Sequence, residues 1–207
     1  MDTVNMGQSK TVKNRAYHHG DLKLTLLSAA RQILDRDGVD AVTVRAVARE
    51  ADVAHSAPAN HFKDRAALLT ELAVGIFIEL AAEFDGALAA SGRTLEERLR
   101  AFGQAMFQYA LRHPNRYRLL WRRDSLDGDD RRLHESGGAI YERLRNVLAD
   151  RAPSTHASND SAIIAAWSTV HGYVSLRLDA VLVAGIDETT GRAREDAILD
   201  VLISGLL

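Results

Sequence analysis

Apolar residues recur at helical spacing in successive segments of this chain. In the first segment Asp21 can cap a helix that Gly38 ends, and its apolar side consists of Leu22, Leu26, Ala29, Ala30, Ile33 and Leu34. A short second helix is predicted over residues 44–51, because Thr43 carries a hydroxyl suited to an N-cap. Asp52 follows where the chain must turn, since a short polar side chain tolerates the left-handed conformation.

A third short helix is predicted over His55–Phe62, with Pro58 in its first turn and Phe62 as its buried anchor. Two short helices around a sharp turn form a helix-turn-helix, which places its second helix in a DNA groove. Periodicity alone also fits an ordinary surface hairpin of helices in an all-helical protein.

Six further helices are predicted by the same spacing. They cover Asp64 to about Ala90, Thr94 to His113, a short segment around Tyr117–Trp121, Leu133–Leu148 with an interruption at Gly137-Gly138, Ser161 to about Ala184, and about Arg192 to Leu206. A polar loop over residues 152–159 precedes the fifth of these helices, Asp64 can cap the first, and Thr94 and Glu97 form a capping box for the second. The last two are more apolar than the surface of a monomer allows, which favours a four-helix interface with a second copy. Packing within one chain explains the same pattern.

Composition and charge limit the kinds of site and the functions that the chain can have. The 207 residues include no cysteine, which excludes disulfides, thiolate nucleophiles and cysteine-based metal sites. Net charge is −2, but residues 1–65 carry 10 Lys and Arg against 8 Asp and Glu, and they contain every lysine of the chain. Residues 1–17 read as a flexible basic arm or as a solvated tail.

Several classes of protein and site are disfavoured by what the sequence lacks. The polar N-terminus is no signal peptide and no apolar run is long enough to span a bilayer, so we expect a cytoplasmic protein without membrane contact. HExxH, P-loop, GxGxxG and nucleophile-elbow motifs do not occur, and we therefore expect no enzyme, no cofactor and no metal.

The motifs resemble those of the tetracycline-repressor-like (TetR) family of regulators. The likeness is carried by Tyr17-His18-His19-Gly20-Asp21-Leu22, Ala29-Ala30, Thr43-Val44-Arg45, Val47-Ala48, Val53, His61-Phe62, Asp64 and Leu68. A second stretch, Ala166–Gly172, resembles the Trp-His-Gly signature of one C-terminal subgroup of the family.

The resemblance implies an all-α homodimer that represses transcription until a small effector releases it from its DNA operator. It implies a basic arm over 1–17, a three-helix helix-turn-helix domain over 18–66, and an effector-binding and dimerisation domain over 67–207 whose last two helices pair with their copies. A helical scaffold or partner-binding protein with weak or no specific DNA binding is the alternative.

The DNA contacts are assigned to the residues of this chain that match the contact positions of the family. Phosphate contacts fall on Thr43, Lys63 and Arg65, a phosphate or base contact on Arg45, base-edge roles on His55, Ser56, Ala57 and Asn60, and packing or a DNA-backbone contact on His61. The family pattern usually has Gly at the turn, Ser at the cap of the recognition helix, Tyr within that helix and Lys at the start of the next helix. At these four positions this chain has Asp52, Ala54, Ala59 and Arg65. Weaker DNA affinity or a changed operator is expected from these departures.

The effector is expected to be small and largely apolar. Its predicted pocket is lined by Phe102, Met106, Tyr109, Trp121, Tyr141, Trp167 and His171, although all of these residue types also serve as ordinary core. His171 is the sharpest candidate, because an imidazole on an apolar helix face needs a partner, and a satisfied core histidine is the alternative.

Overall fold

The computed structural model describes residues 19–152 and 158–206 of the chain, and within these ranges the fold is all-α, as predicted. The helices are α1 (His19–Asp37), α2 (Val44–Glu50), α3 (Arg65–Ala90), α4 (Leu95–Arg112), α5 (Pro114–Trp121), α6 (Arg131–Val147), α7 (Asn159–Leu178) and α8 (Arg194–Leu206). The predicted basic arm and most of the predicted loop before α7 lie outside the described residues.

Local signals in the sequence set the first two helices. Helix α1 begins before Asp21 rather than being capped by it, and it ends at Gly38, whose N–H donates to the carbonyl of Leu34 at 3.0 Å. Gly38 has φ 86°, a left-handed backbone that side-chain-bearing residues rarely adopt. The hydroxyl of Thr43 caps α2 by accepting from the N–H of Ala46 at 3.1 Å, which confirms the predicted cap.

The turn after α2 also follows the prediction, since Asp52 has φ 52°. The next segment does not: in place of an α-helix over His55–Phe62 the structure has a four-residue 3₁₀ helix, Ala57–Asn60. The N–H of Ala59 accordingly reaches back three residues to the carbonyl of Ser56 at 3.2 Å. Pro58 contributes to the difference, because it has no N–H and therefore removes one hydrogen bond from the first turn.

Helix α3 joins the N-terminal helices to the rest of the molecule. The carboxylate of Asp64 caps it by accepting from the N–H of Ala67 at 2.8 Å, as predicted. Buried side chains follow most of its length, and near its far end the ring of Phe84 stacks on that of Phe102 with centroids 4.1 Å apart. The predicted capping box of Thr94 and Glu97 is present at the start of α4.

Two predictions about helices in the C-terminal half are wrong, one about a break within a helix and one about where a helix ends. Helix α6 runs without a break through Gly137 and Gly138, because Gly137 packs against the ring of Phe77 on α3 and tertiary contact outweighs the low helix propensity of glycine. Helix α7 ends about six residues earlier than predicted. The chain turns there at Ala180 with φ 57°, and the N–H of Val181 bonds back to the carbonyl of Leu176 at 3.0 Å, as in a Schellman motif.

Candidate functional site

The surface formed by α2 and the turn after it carries the residues predicted to contact DNA. Pro58 and Phe62 are buried and anchor the segment, while Ala57 is half-buried. The predicted contact residues that are exposed are Thr43, Arg45, His55, Ser56, Asn60 and Lys63. Most of the predicted contact residues are therefore available to a partner.

His61 differs from these exposed residues. It is half-buried, its ring lies 6.4 Å from that of Phe62, and its Nε2 is buried without a hydrogen-bond partner. The structure thus places His61 against the core of the motif, which is the packing role that the sequence allowed.

The two cations at the start of α3 are already engaged within the chain. Arg65 donates from Nε to the carbonyl of Val42 and from Nη2 to that of Val39, both at 2.7 Å. The ammonium of Lys63 lies 2.9 Å from the carboxylate of Asp127, which raises the pKa of Lys63. Arg65 therefore braces the turn before α2, and a phosphate would compete with Asp127 for Lys63.

Helix α5 is tied to the N-terminal helices by a network of charges. Arg116 on α5 makes a two-armed ion pair with Asp35 of α1, at 2.6 and 2.7 Å, and donates to Glu79 of α3 at 2.7 Å. Glu79 also accepts from Arg31 of α1 at 2.5 Å. Burial raises the pKa of Glu79, but the bonds and charges of the two guanidinium groups outweigh burial and hold this pKa below its usual value. A movement of α5 would therefore be transmitted to α1 through these ion pairs.

A cavity of about 130 Å³ lies between α3, α5, α6 and α7, and we call it the aromatic cavity. Its walls include Phe77, Leu120, Trp121, Leu126, Leu133, Gly137, Gly138 and Trp167, with Arg123 and His134 beside them. The indole rings of Trp121 and Trp167 meet edge to face with centroids 5.6 Å apart. Two of the predicted pocket residues are thereby brought together.

Four of the predicted pocket residues lie elsewhere and line neither this cavity nor the one described next. Phe102 and Met106 are buried in the core between helices, and the Tyr109 hydroxyl donates to Glu79 at 3.3 Å. Tyr141 is half-buried under the guanidinium of Arg145, 5.3 Å from its ring centroid. The seven predicted residues are therefore divided between two cavities and the core, because apolar helical spacing does not separate core from cavity wall.

A second cavity, of about 480 Å³, lies where the end of α1 meets α5 and α7, and we call it the junction cavity. His171 lines it, together with Asp37, Gly38, Val39, Asp40, Asn115, Tyr117, Arg118, Trp121, Arg122, Ser175, Leu178 and Asp179. Trp121 is shared by both cavities, so α5 forms the wall between them.

His171 has its polar partner in Tyr117, a residue that the sequence analysis did not assign to the site. The Tyr117 hydroxyl and Nδ1 of His171 are 2.7 Å apart. Burial lowers the pKa of His171 and raises that of Tyr117, although the nearby Trp121 indole acts in the opposite direction on the tyrosine. Both groups are thus neutral near pH 7 and share one proton. Because Tyr117 precedes Trp121 by four residues on one helix face, the assignment of Trp121 already pointed to it.

Helices α7 and α8 present an apolar outer surface. On α7 the exposed Ile164 and Leu176 share one face with Ser168 and Gly172, because these four residues follow each other at intervals of four. On α8 Val201 is 76% exposed. This surface, defined by these five residues, is called the α7–α8 face below.

An all-α chain with a helix-turn-helix near its N-terminus and a cavity-bearing helical bundle after it has the architecture of a DNA-binding transcriptional regulator. Family models agree: that of bacterial regulatory proteins of the tetR family matches residues 26–72, and that of the tetracyclin repressor-like C-terminal domain matches residues 99–202. The chain therefore belongs to the tetR family.

Solved structures show the same fold. A protein of unknown function from Rhodococcus sp. RHA1 is 29% identical, with 93% of this chain and 99% of that chain covered and a TM-score of 0.76. The TetR family transcriptional regulator PfmR from Thermus thermophilus is 19% identical, covering 88% and 95% of the two chains with a TM-score of 0.64. FadR from Bacillus subtilis, in complex with stearoyl-CoA, is 14% identical, covering 89% and 100% with a TM-score of 0.67.

No curated protein sequence matches the chain. Among the residues that the structure describes, no helix combines the length and apolar character that crossing a bilayer requires.

Proposed function

We propose that the chain acts as a homodimeric repressor that leaves its operator when a small, largely apolar effector enters the aromatic cavity. The observation that carries this proposal is the position of α5. One side of α5 forms the Trp121 wall of the cavity, and Arg116 of the same short helix donates to Asp35 of α1 from Nε and Nη2 of its guanidinium. A ligand that shifts α5 therefore acts on the DNA-binding end through direct contacts.

DNA binding is assigned to the surface around α2 and the turn after it. The exposure of Arg45, His55, Ser56 and Asn60 supports base and phosphate contacts there, with Thr43 and Lys63 at the edges. The short 3₁₀ helix presents fewer side chains to a groove than an α-helix of the predicted length. We therefore expect a modest affinity that relies on both half-sites of the operator.

Dimerisation is assigned to the α7–α8 face. Exposed Ile164, Leu176 and Val201 are costly in water, and Gly172 lies in open space that would let a second helix approach closely. A two-fold pairing of these helices with their copies would also match a palindromic operator. The same proposal includes domain limits of 18–66 and 67–207, membership in the Trp-His-Gly subgroup, a non-enzymatic role and a cytoplasmic location.

Operator binding is tested by fluorescence polarisation with the chain's own upstream intergenic DNA. We expect preferential binding to a palindrome over random DNA of equal length, with an affinity that falls steeply as salt rises, because phosphate contacts release counterions. Equal affinity for both DNAs would contradict the proposal and favour the alternative, a helical scaffold without specific DNA binding.

The dimer is tested by light scattering on two matched variants. Val201→Asp places a charge on the α7–α8 face and should give a monomer, whereas Ile78→Asp, an equally abrupt change at an exposed site on α3, should leave the dimer intact. A wild-type monomer, or the same mass for both variants, would refute this part of the proposal.

The effector cavity is tested with toluene, because its volume is close to that of cavities that hold one benzene ring. Both tryptophans of the chain line this cavity, so toluene should change their fluorescence. Gly137→Val adds atoms beside Phe77 and should abolish the response, while Gly86→Val, also inside a helix but facing open space, should not. A response that survives Gly137→Val would locate toluene elsewhere.

A further inference from the structure

We infer that the junction cavity is a second ligand site, and that it takes a small organic carboxylate whose oxygens replace Asp40 as the partner of Arg122. This goes beyond the apolar effector site, since Trp121 is the one lining residue that the two cavities share and they differ in chemistry. The inference does not depend on the repressor function, except where it concerns the release of DNA.

The walls of the junction cavity combine an apolar aromatic surface with hydrogen-bond donors. The ring centroids of Trp121 and His171 are 4.6 Å apart, and those of Tyr117 and Trp121 are 5.7 Å apart, so the three rings form one continuous surface. Nε1 of Trp121 is buried and interacts with the Tyr117 hydroxyl, but the two groups do not form a hydrogen bond of normal geometry. A buried donor that is poorly satisfied is unfavourable, and an oxygen of a ligand would give it a better acceptor.

The two guanidinium groups of the cavity form ion pairs with carboxylates that a ligand carboxylate can replace. Arg122 donates to Asp40 at 3.1 Å and also lies 3.6 Å from Asp124, and the side chains of these aspartates are 81% and 74% exposed. Arg118 lies 3.6 Å from Asp179, which is 66% exposed, and also donates to the carbonyl of Leu178. Ion pairs with such exposed partners contribute little to stability, so a carboxylate that also buries an apolar group can displace them.

The preference for an anion comes from the two guanidinium groups and not from the net charge of the cavity, whose lining carries three carboxylates. Each of its three carboxylates already has a guanidinium partner, since Asp37 pairs with Arg36 at 2.9 Å in addition to the two pairs above. Planar guanidinium groups bind carboxylates with two parallel hydrogen bonds, which is the interaction an incoming acid would gain. The neutral state of His171 near pH 7 leaves recognition to the arginines.

The volume of about 480 Å³ lies within the range of small-molecule sites in proteins. The cavity also touches Gly38 and Asp40, which belong to the turn between α1 and α2. Transfer of Arg122 from Asp40 to a ligand would therefore remove one tie between α5 and the DNA-binding end. If the chain is a repressor, such a ligand changes the affinity for DNA.

The test is isothermal titration calorimetry on the full chain without DNA. The probes are benzoate and 2-naphthoate, each compared with its own neutral amide. We expect each acid to bind at least about tenfold more tightly than its amide, which is the effect of one good charged contact. Because DNA is not present, a failure here leaves operator binding untouched, and a failure of operator binding leaves this result untouched.

Three variants decide which residues hold the acid. Arg122→Gln should weaken acid binding several-fold and leave amide binding unchanged. Asp40→Asn removes the nearer of the two carboxylates that compete for Arg122 and should strengthen acid binding, an outcome that damage to the fold cannot imitate. Arg131→Gln, at an exposed site whose ion pair is with Glu135, is the matched control and should have no effect. Equal binding of acids and amides, no binding of either acid, or acid binding that is insensitive to both Arg122→Gln and Asp40→Asn would overturn the inference.

Discussion

Asp127→Asn removes the carboxylate that holds Lys63 away from DNA phosphates. The two side chains meet at 2.9 Å, and the hydrogen bond to Lys63 lowers the pKa of Asp127, so both partners are charged at pH 7. The backbone N–H of Asp127 donates to Thr70 at 2.9 Å, and its Oδ1 accepts from the N–H of Asp129 at 3.2 Å. Asparagine keeps both of these bonds, so the substitution deletes the ion pair with little change in the loop.

The size of the effect follows from the exposure of the pair. Lys63 is 68% exposed, and ion pairs in such positions change an equilibrium constant by about twofold to fivefold. Because a dimer uses two half-sites, operator affinity should rise by about fourfold to 25-fold at low salt and by less at high salt, where charges are screened. The assay is fluorescence polarisation with labelled operator over a series of salt concentrations.

Asp129→Asn is the matched control, because it makes the same change in net charge and its carboxylate has no ion pair with Lys63 in the structure. Lys63→Ala should weaken binding and reduce the salt dependence by about one counterion per protomer. In the Lys63→Ala background Asp127→Asn should have no further effect. The reasoning is refuted if Asp127→Asn binds no more tightly than Asp129→Asn, or if it still strengthens binding without Lys63.

Three further predictions concern DNA contact, capping and pH. Arg45→Ala should weaken operator binding and leave the thermal midpoint near that of the wild type, since the side chain is exposed; an equal loss of stability would make its role structural. Thr94→Ala should lower the free energy of unfolding in urea by about 0.5–2 kcal/mol, and Thr94→Ser should restore most of it. Because burial lowers the pKa of His171, the unfolded chain takes up a proton first, so stability should fall as pH drops below about 6.5. His171→Asn should make this loss smaller in urea unfolding curves at pH 7.5 and 5.5, and an unchanged difference would show that His171 is not its source.

Most of the predicted interactions between near neighbours are present in the structure, although Asp21 does not cap α1. The caps at Thr43, Asp64 and Thr94, the turn at Asp52 and the end of α1 at Gly38 each depend on one residue and its own backbone. The sequence does not predict the 3₁₀ helix after the turn. A proline in the first turn is compatible with an α-helix, so Pro58 by itself does not distinguish an α-helix from the shorter 3₁₀ helix that the structure has.

The sequence by itself determined the all-α fold, the helix-turn-helix and the family, because helical spacing, caps and short motifs are local properties of the chain. Only the tertiary structure decided which aromatic residues line a cavity, since Tyr109 and Trp121 carry the same apolar signal and are separated only by how α4 and α5 pack. The tertiary structure also decided which groups Lys63 and Arg65, the two cations near the start of α3, bind. Lys63 meets Asp127 from 64 residues away, and Arg65 reaches backbone carbonyls before α2, and no pattern along the chain specifies contacts at that distance.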